Sequence, residues 1–340
     1  MYWGVRERPF RRRVLISWLR DICRRHWPRL MVLTLGMVCQ ASGQDRLNQP
    51  QLSSTTKAIS STSSAVRVNA DLVLVPVTVF DSKDRIVNGL RPNNFLITDN
   101  RRPQRIKYFS QEDAPISMTI VFDSSGSMVG KVPEARAAAL QLLQDANQQD
   151  EFSLVVFGNE PRIAVGFSEP VDEISRIVDS VQPDGFTSLW DALYLAVKEQ
   201  KHAKYSRRAI VVISDGGDNH SRYTEGEIKS VLREADVQLY AIGLFARFLQ
   251  RPEERLGPLR LDEITGVTGG RAICIHDPAD IMRAARDISY ELRNQYVLGY
   301  RPSEHRADGK WRAVKVQLTD FFGRGRVRVN ARSGYYGPTG

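Results

Sequence analysis

The sequence predicts an α/β fold, a doubly wound and mostly parallel sheet, with a small β module contributed by the chain on either side of it. Three observations predict this. Apolar runs such as SMTIVFD and AIVVIS are continuous, as in strands covered on both faces. They alternate with stretches of helical spacing, which is the pattern of βαβ units. Segments before and after this stretch instead carry period-two alternation, which belongs to half-buried strands.

Taken in order, residues 66–112 read as an N-terminal β segment. VRVNADLVLVPVTVFDS alternates and ends in a turn at Asp81 to Asp84, and FLITD and QRIKYFS add further strands. Residues 113–294 hold the α/β part. SMTIVFD and FSLVVFG are strands around a helix at 133–146, with Pro133 near its first turn. VDEISRIVDSV carries Ile174, Ile177, Val178 and Val181 at helical spacing, and 188–202 reads as another helix. RAIVVISD, VQLYAIGLF and RAICI are strands, with helices at 224–235, 259–268 and 278–293. Residues 295–340 return to β character in QYVLGYRP, WRAVKVQLTD and GRVRVNARSGYY, with turn signals at Asp308-Gly309 and Gly323. The two β flanks are expected to pair with each other at one end of the α/β part.

A chain of 340 residues with a formal charge of +9 invites a nucleic-acid reading, so the position of the charge matters. Nine arginines against Glu7 and Asp21 place +7 of that charge in the first 43 residues. The remainder is nearly neutral, and nucleic acid is not expected as a partner. The same arginines precede a short apolar run, LMVLTLGMVC, and the small residues Ala41, Ser42 and Gly43, which is the order of an export signal. The run is too short to span a bilayer, which takes about 20 apolar residues. Residues 1–43 are therefore read as a signal segment, the only part expected to meet a membrane, and the protein as exported to the periplasm, cell envelope or medium. Arg11-Arg12-Arg13 resembles a twin-arginine signal only faintly, and Met37 and Val38 argue against lipidation of Cys39. Residues 44–65, rich in Ser, Thr and Gln, read as a disordered linker. Cleavage would leave Cys274 alone, which excludes an intrachain disulfide and a cysteine metal site.

In an open α/β sheet, ligands bind beyond the carboxyl ends of the strands. Three loops there are rich in hard oxygen donors: Asp123-Ser124-Ser125-Gly126-Ser127 after SMTIVF, Gly185 to Leu189 before a helix, and Asp215 to Asn219 after AIVVIS. The carboxylates of Asp123 and Asp215 and the hydroxyls of Ser125, Ser127 and Thr187 suit Mg²⁺, or Mn²⁺ or Ca²⁺, whereas Zn²⁺ favours imidazole or thiolate. D-x-S-x-S, a loop threonine and an aspartate in a DG turn together resemble the metal-ion-dependent adhesion site of von Willebrand factor A domains. All five positions carry the expected residue type. The flanks, with QYVLGYRP and RSGYY among them, resemble the acidobacterial-type subgroup of von Willebrand factor A-related proteins. The resemblance implies a Rossmann-like fold over 113–294, a bound divalent cation, and a protein partner that completes its coordination with an Asp or Glu side chain.

Each piece also has a plainer reading. DSSGS can be a strand-to-helix turn, Thr187 or Ser188 can cap the next helix with Asp191 in the place of a capping-box acid, and Asp215-Gly216-Gly217 can be only a turn. His220 reads as a surface residue and His276 as a loop or cap residue. No general base stands near the hydroxyls in sequence, so binding and not catalysis is expected. Two alternatives stay open: a Mg²⁺-dependent phosphoryl-transfer enzyme with Asp123 as nucleophile, although Ser125 stands where such enzymes commonly carry a second Asp, and a structural protein with a vestigial site.

Overall fold

Residues 72–245, 254–304, 307–319 and 326–339 are described by the computed structural model. The expected signal segment, the linker and the first residues of the N-terminal β segment lie outside them. Alternation sets the opening strands: β1 (Val73–Phe80) turns Val75, Val77 and Val79 into a core, and β2 (Phe95–Asp99), β3 (Arg102–Gln104) and β4 (Ile106–Ser110) follow. Next come β5 (Ile116–Asp123), α1 (Val132–Gln144), β6 (Glu151–Phe157), β7 (Arg162–Val165), α2 (Val171–Ser180) and α3 (Leu189–Glu199). The α/β part continues through β8 (Arg207–Ser214), α4 (Glu225–Glu234), β9 (Gln238–Leu244), α5 (Gly257–Gly266), β10 (Ala272–Ile275) and α6 (Ile281–Arg293). Then β11 (Tyr296–Tyr300), β12 (Trp311–Leu318), β13 (Arg328–Ala331) and β14 (Gly334–Tyr336) return to the β part.

The central sheet runs β10-β9-β8-β5-β6-β7, and every pairing in it is parallel except that of β7 with β6. Helices α1, α2 and α6 cover one face, and α3, α4 and α5 cover the other. This is the expected doubly wound arrangement. β5 is buried along its whole length, which is why its apolar run shows no alternation. It lies between β6 and β8, and the chain leaves it toward β6 and comes back on its other side at β8. The reversal opens a crevice at the carboxyl ends of β5 and β8. Local chemistry agrees with the helix starts: Pro133 stands in the first turn of α1, and Thr224 and Glu227 form a reciprocal capping box on α4. β7 is an element that the sequence reading did not anticipate. It is a four-residue edge strand whose first two residues are exposed, too short to display a period.

The two β flanks pair with each other. One four-stranded sheet has the order β13-β1-β11-β4 and another β14-β12-β2-β3, so each draws strands from both sides of the α/β part. Their inner faces share a core that includes Val77, Ile97, Tyr296, Leu298, Tyr300 and Val314. β3 and β4 are consecutive yet end up in different sheets, and so are β13 and β14, so chain turns the corner at both edges of the sandwich. Inside it, the hydroxyls of Tyr300 and Tyr335 both donate to Asp99 Oδ2, at 3.0 and 2.9 Å.

A buried polar network joins the two parts. Arg271 Nε donates to Glu291 Oε2 at 2.6 Å, Tyr240 donates to Glu291 Oε1 at 3.2 Å, and Gln295 Nε2 donates to the Tyr240 hydroxyl at 2.9 Å. Burial raises the Glu291 carboxyl above the usual range, while the Arg271 guanidinium works to lower it. Buried charge of this kind depends on its partner, because a lone buried carboxylate has nothing to offset its lost hydration.

Candidate functional site

The three oxygen-rich loops meet in the crevice between β5 and β8, and each is tied to the other two. Gly126 N donates to Gly185 O at 3.0 Å and Asp184 N to Ser124 O at 2.9 Å, joining the first loop to the second. Asn219 N and His220 N both donate to Thr187 O at 3.0 Å, while Thr187 N donates to Asn219 Oδ1 at 2.8 Å, joining the second loop to the third. Ser214, the last residue of β8 and the one that leads into the third loop, donates through Oγ to Asp123 Oδ2 at 2.6 Å, which ties that end to the first loop. The five residues singled out in the sequence, Asp123, Ser125, Ser127, Thr187 and Asp215, therefore stand on three mutually braced loops.

Their environments differ in a way that bears on chemistry. Asp123, Ser125 and Asp215 are fully buried and Thr187 nearly so, whereas Ser127 keeps some exposure. Asp123 Oδ1 accepts from Ser125 N at 2.9 Å, which folds the loop back on its own carboxylate, and the Ser125 and Ser127 hydroxyls lie 3.1 Å apart. Asp215 Oδ1 accepts from Gly217 N at 3.2 Å. The backbone at Gly216 has φ +73, and a Cβ there would stand 2.8 Å from Gly257 Cα and O, so this turn requires glycine.

The plainer reading of the second loop fails on geometry. Ser188 is the residue before α3, but its hydroxyl donates to Gly158 O at 2.7 Å and does not cap the helix. The Asp191 carboxylate is taken by Arg222 N and Tyr223 N. The free amides of Trp190 and Asp191 go instead to Ser221 Oγ, at 3.0 and 3.2 Å. α3 is thus capped by Ser221, just past the third loop, which leaves the Thr187 and Ser188 side chains without a capping role.

A family model described as von Willebrand factor type A domain matches residues 118–217, which hold β5 through β8 and all three loops. The chain carries a von Willebrand factor type A domain. Relatives include inter-alpha-trypsin inhibitor heavy chain H4 of Homo sapiens, 27% identical over 205 residues that take in 56% of this chain and 22% of that protein. An uncharacterised protein of Borreliella burgdorferi is 23% identical over 200 residues, 52% of this chain and 58% of its own length. The chain thus spans about a fifth of the length of the heavy chains it matches. Among solved structures, a von Willebrand factor type A protein from Catenulispora acidiphila is 11% identical, with a TM-score of 0.45, over 77% of this chain and 73% of that one. The PilB minor pilin from Streptococcus sanguinis is 16% identical, with a TM-score of 0.45, over 54% of this chain and 63% of that one.

Within this von Willebrand factor A domain the crevice holds two buried carboxylates, and their electrostatics follow. Burial first, and then the neighbouring charge of Asp215, pushes the Asp123 carboxyl up to about 7. Asp215 Oδ2 is met by Lys131 Nζ at 2.9 Å, an ion pair whose lysine side chain is only 15% exposed. Lys131 and Ser214 are contributors that sequence reasoning missed, and Asn219 stood in the third loop without a role. Their roles are hydrogen bonds and an ion pair across 32 to 91 residues, and no local pattern signals them. His220 is exposed, as expected, and its ring stacks on that of Phe186, the centroids 5.0 Å apart. His276 lies with its ring 5.9 Å from that of Phe245.

As a donor set the five residues offer two carboxylates and three hydroxyls. Among the described residues, no cluster of three His, Cys, Asp or Glu side chains is placed to hold a metal, so any cation here depends on the hydroxyls as well. The set fits a hard dication: it is all oxygen, it is braced on three sides, and its two acids are held in a buried place where a cation would relieve both burial and mutual repulsion.

Proposed function

We propose that this domain is a metal-ion-dependent protein-binding module that holds Mg²⁺ or Mn²⁺ and uses it to grip an acidic side chain of a partner. The observation that carries this reading is the bracing of five hard oxygen donors on three mutually bonded loops at the switch point of the sheet. Asp123, Ser125, Ser127, Thr187 and Asp215 would hold the cation, some of them through water. The ion supplies positive charge and an open coordination position, and a partner Asp or Glu completes it. Ser214 and Asn219 orient Asp123 and Thr187, so that the site is shaped before the cation enters.

What faces the crevice supports binding over catalysis. A metal-assisted hydrolase needs a base within hydrogen-bond reach of the activated water. The Ser125 hydroxyl meets that of Ser127, and His220, just past the third loop, is stacked on Phe186. A nucleophilic role for Asp123 is also poorly served, since both its oxygens already accept hydrogen bonds from Ser125 N and Ser214 Oγ.

The N-terminal pattern supports export, and among the described residues no helix is long and apolar enough to cross a membrane. N-terminal sequencing of protein recovered outside the cytoplasm should find the chain beginning between Ala41 and Gln44. Intact Met1 on soluble cytoplasmic protein would contradict it.

The function itself is tested by retention. Protein immobilised in Mg²⁺ or Mn²⁺ should capture a partner that chelator releases, and Asp123→Ala should capture none. If Asp123→Ala retains the same protein equally well, the crevice is not the binding site.

A further inference from the structure

Lys131 is the residue just before α1, and its ammonium is the cation that meets buried Asp215 in this structure. Its position costs something: a positive charge at a helix N-terminus faces the positive end of the helix dipole. The Asp215 carboxylate, 2.9 Å away, offsets that cost. A dication bound by Asp215 would compete for the same oxygen and would repel an ammonium held a few ångströms away.

A second carboxylate stands ready. Glu134 lies three residues further on, in the first turn of α1, at the spacing of neighbours on one helical face. Its Oε2 is buried without a hydrogen-bond partner. Lys131 and Glu134 line one groove of about 310 Å³ together with Gly130, Phe245 and His276. Gly130, at φ +81 with open space around it, places a permissive backbone joint directly before Lys131.

We infer that Lys131 is a tethered cation with two positions: on Asp215 when the site holds no metal, and on Glu134 when a dication takes Asp215. This rests on the metal-site reading above. Lys131 then keeps two buried acids together in the metal-free protein and sets the metal affinity by competing for the site, with Glu134 receiving the displaced ammonium.

The test is titration of the full chain with Mn²⁺ alone, by calorimetry at constant pH, together with melting in chelator. Lys131→Met should bind Mn²⁺ roughly tenfold more tightly than wild type, which is about 1.4 kcal/mol, yet melt at a lower temperature in chelator. Glu134→Gln should bind Mn²⁺ more weakly by a few-fold, on the scale of a partly exposed ion pair, with its melting in chelator lowered only slightly, as the loss of one first-turn acid at a helix N-terminus requires. In the Lys131→Met background Glu134→Gln should have no effect on affinity, because the group it receives is gone; a merely structural Glu134 would act the same in both backgrounds. Should Lys131→Met fail to fold, Lys131→Arg, which keeps the charge and can grip a carboxylate with two prongs, should weaken Mn²⁺ binding. Wild type that binds Mn²⁺ with Lys131→Met no tighter, or Glu134→Gln equally harmful in both backgrounds, overturns the exchange while leaving the metal site standing. Failure of every variant and of wild type to bind Mn²⁺ overturns both.

Discussion

Asp123→Asn should stabilise the metal-free protein at alkaline pH, an unusual outcome for a polar substitution at a site residue. The Asp123 carboxyl is fully buried beside Asp215, and its pKa stands at about 7 in place of 3.8. At 1.36 kcal/mol per pH unit, a difference of about three corresponds to roughly 4 kcal/mol of folding free energy lost when the group ionises. The sign follows from which state holds the proton more tightly. The folded state does, so stability is greatest below about pH 4, falls as pH rises toward 7, and levels off above it. Asparagine removes the charge but presents an amide where Ser214 Oγ and Ser125 N now donate to carboxylate oxygens. Allowing about half of the gain for that mismatch leaves about 2 kcal/mol, or some 4 to 8 °C in melting temperature for a domain of this size. The measurement is thermal melting in chelator at pH 5 and pH 8.5. Asn should melt higher than wild type at pH 8.5 and no higher at pH 5, whereas Mg²⁺ should raise only the wild type. An Asn variant that is less stable than wild type at both pH values would refute the reasoning, because the buried charge would then not be what costs stability.

Three further outcomes follow from other residues. Asn219→Ala removes the acceptor of Thr187 N and should weaken Mn²⁺ binding by roughly five- to tenfold, the scale of one hydrogen bond of about 1 kcal/mol; an unchanged titration would show that Thr187 needs no brace. Gly216→Ala forces a Cβ into backbone at positive φ and should cost about 1 to 3 kcal/mol, read as a lower urea midpoint at constant slope. Arg271→Met strands Glu291 in the interior and should cost about 3 to 5 kcal/mol, with much of it returned when Glu291→Leu is added; a loss no smaller in the double variant would mean the arginine acts through its guanidinium over the Phe80 ring, 4.9 Å from the centroid, and not by neutralising Glu291.

The legible part of this molecule was whatever repeats locally. β5 and β8 show as unbroken apolar runs because helices cover both faces, and the aspartate that ends one strand and follows the other shows because polar residues reappear where the sheet stops. The three donor loops could be picked out for the same reason. What joins them could not, because Ser214 reaches Asp123 across 91 residues and Asn219 reaches Thr187 across 32. The Ser188 and Asp191 spacing looks like a capping box, yet both side chains are claimed by Gly158 and by the backbone at 222 and 223, contacts that exist only once the loops have met. Likewise alternation marks the flanking strands as strands, but their register and their split into two sheets depend on partners some two hundred residues away.

Those distant partners impose an order on events during folding. β1 pairs with β11 from Val73↔Tyr300 to Val77↔Tyr296, and closing a loop of that length before anything else has formed carries a heavy entropic cost. Once the α/β part has folded, its two ends emerge side by side, with Ser110 already opposite Val297, and the effective loop shrinks to a few residues. The nascent chain must therefore carry VLVPVTVF as an unpaired, sticky strand until β11 and β13 exist, which is the interval in which it is most exposed to aggregation and to chaperones.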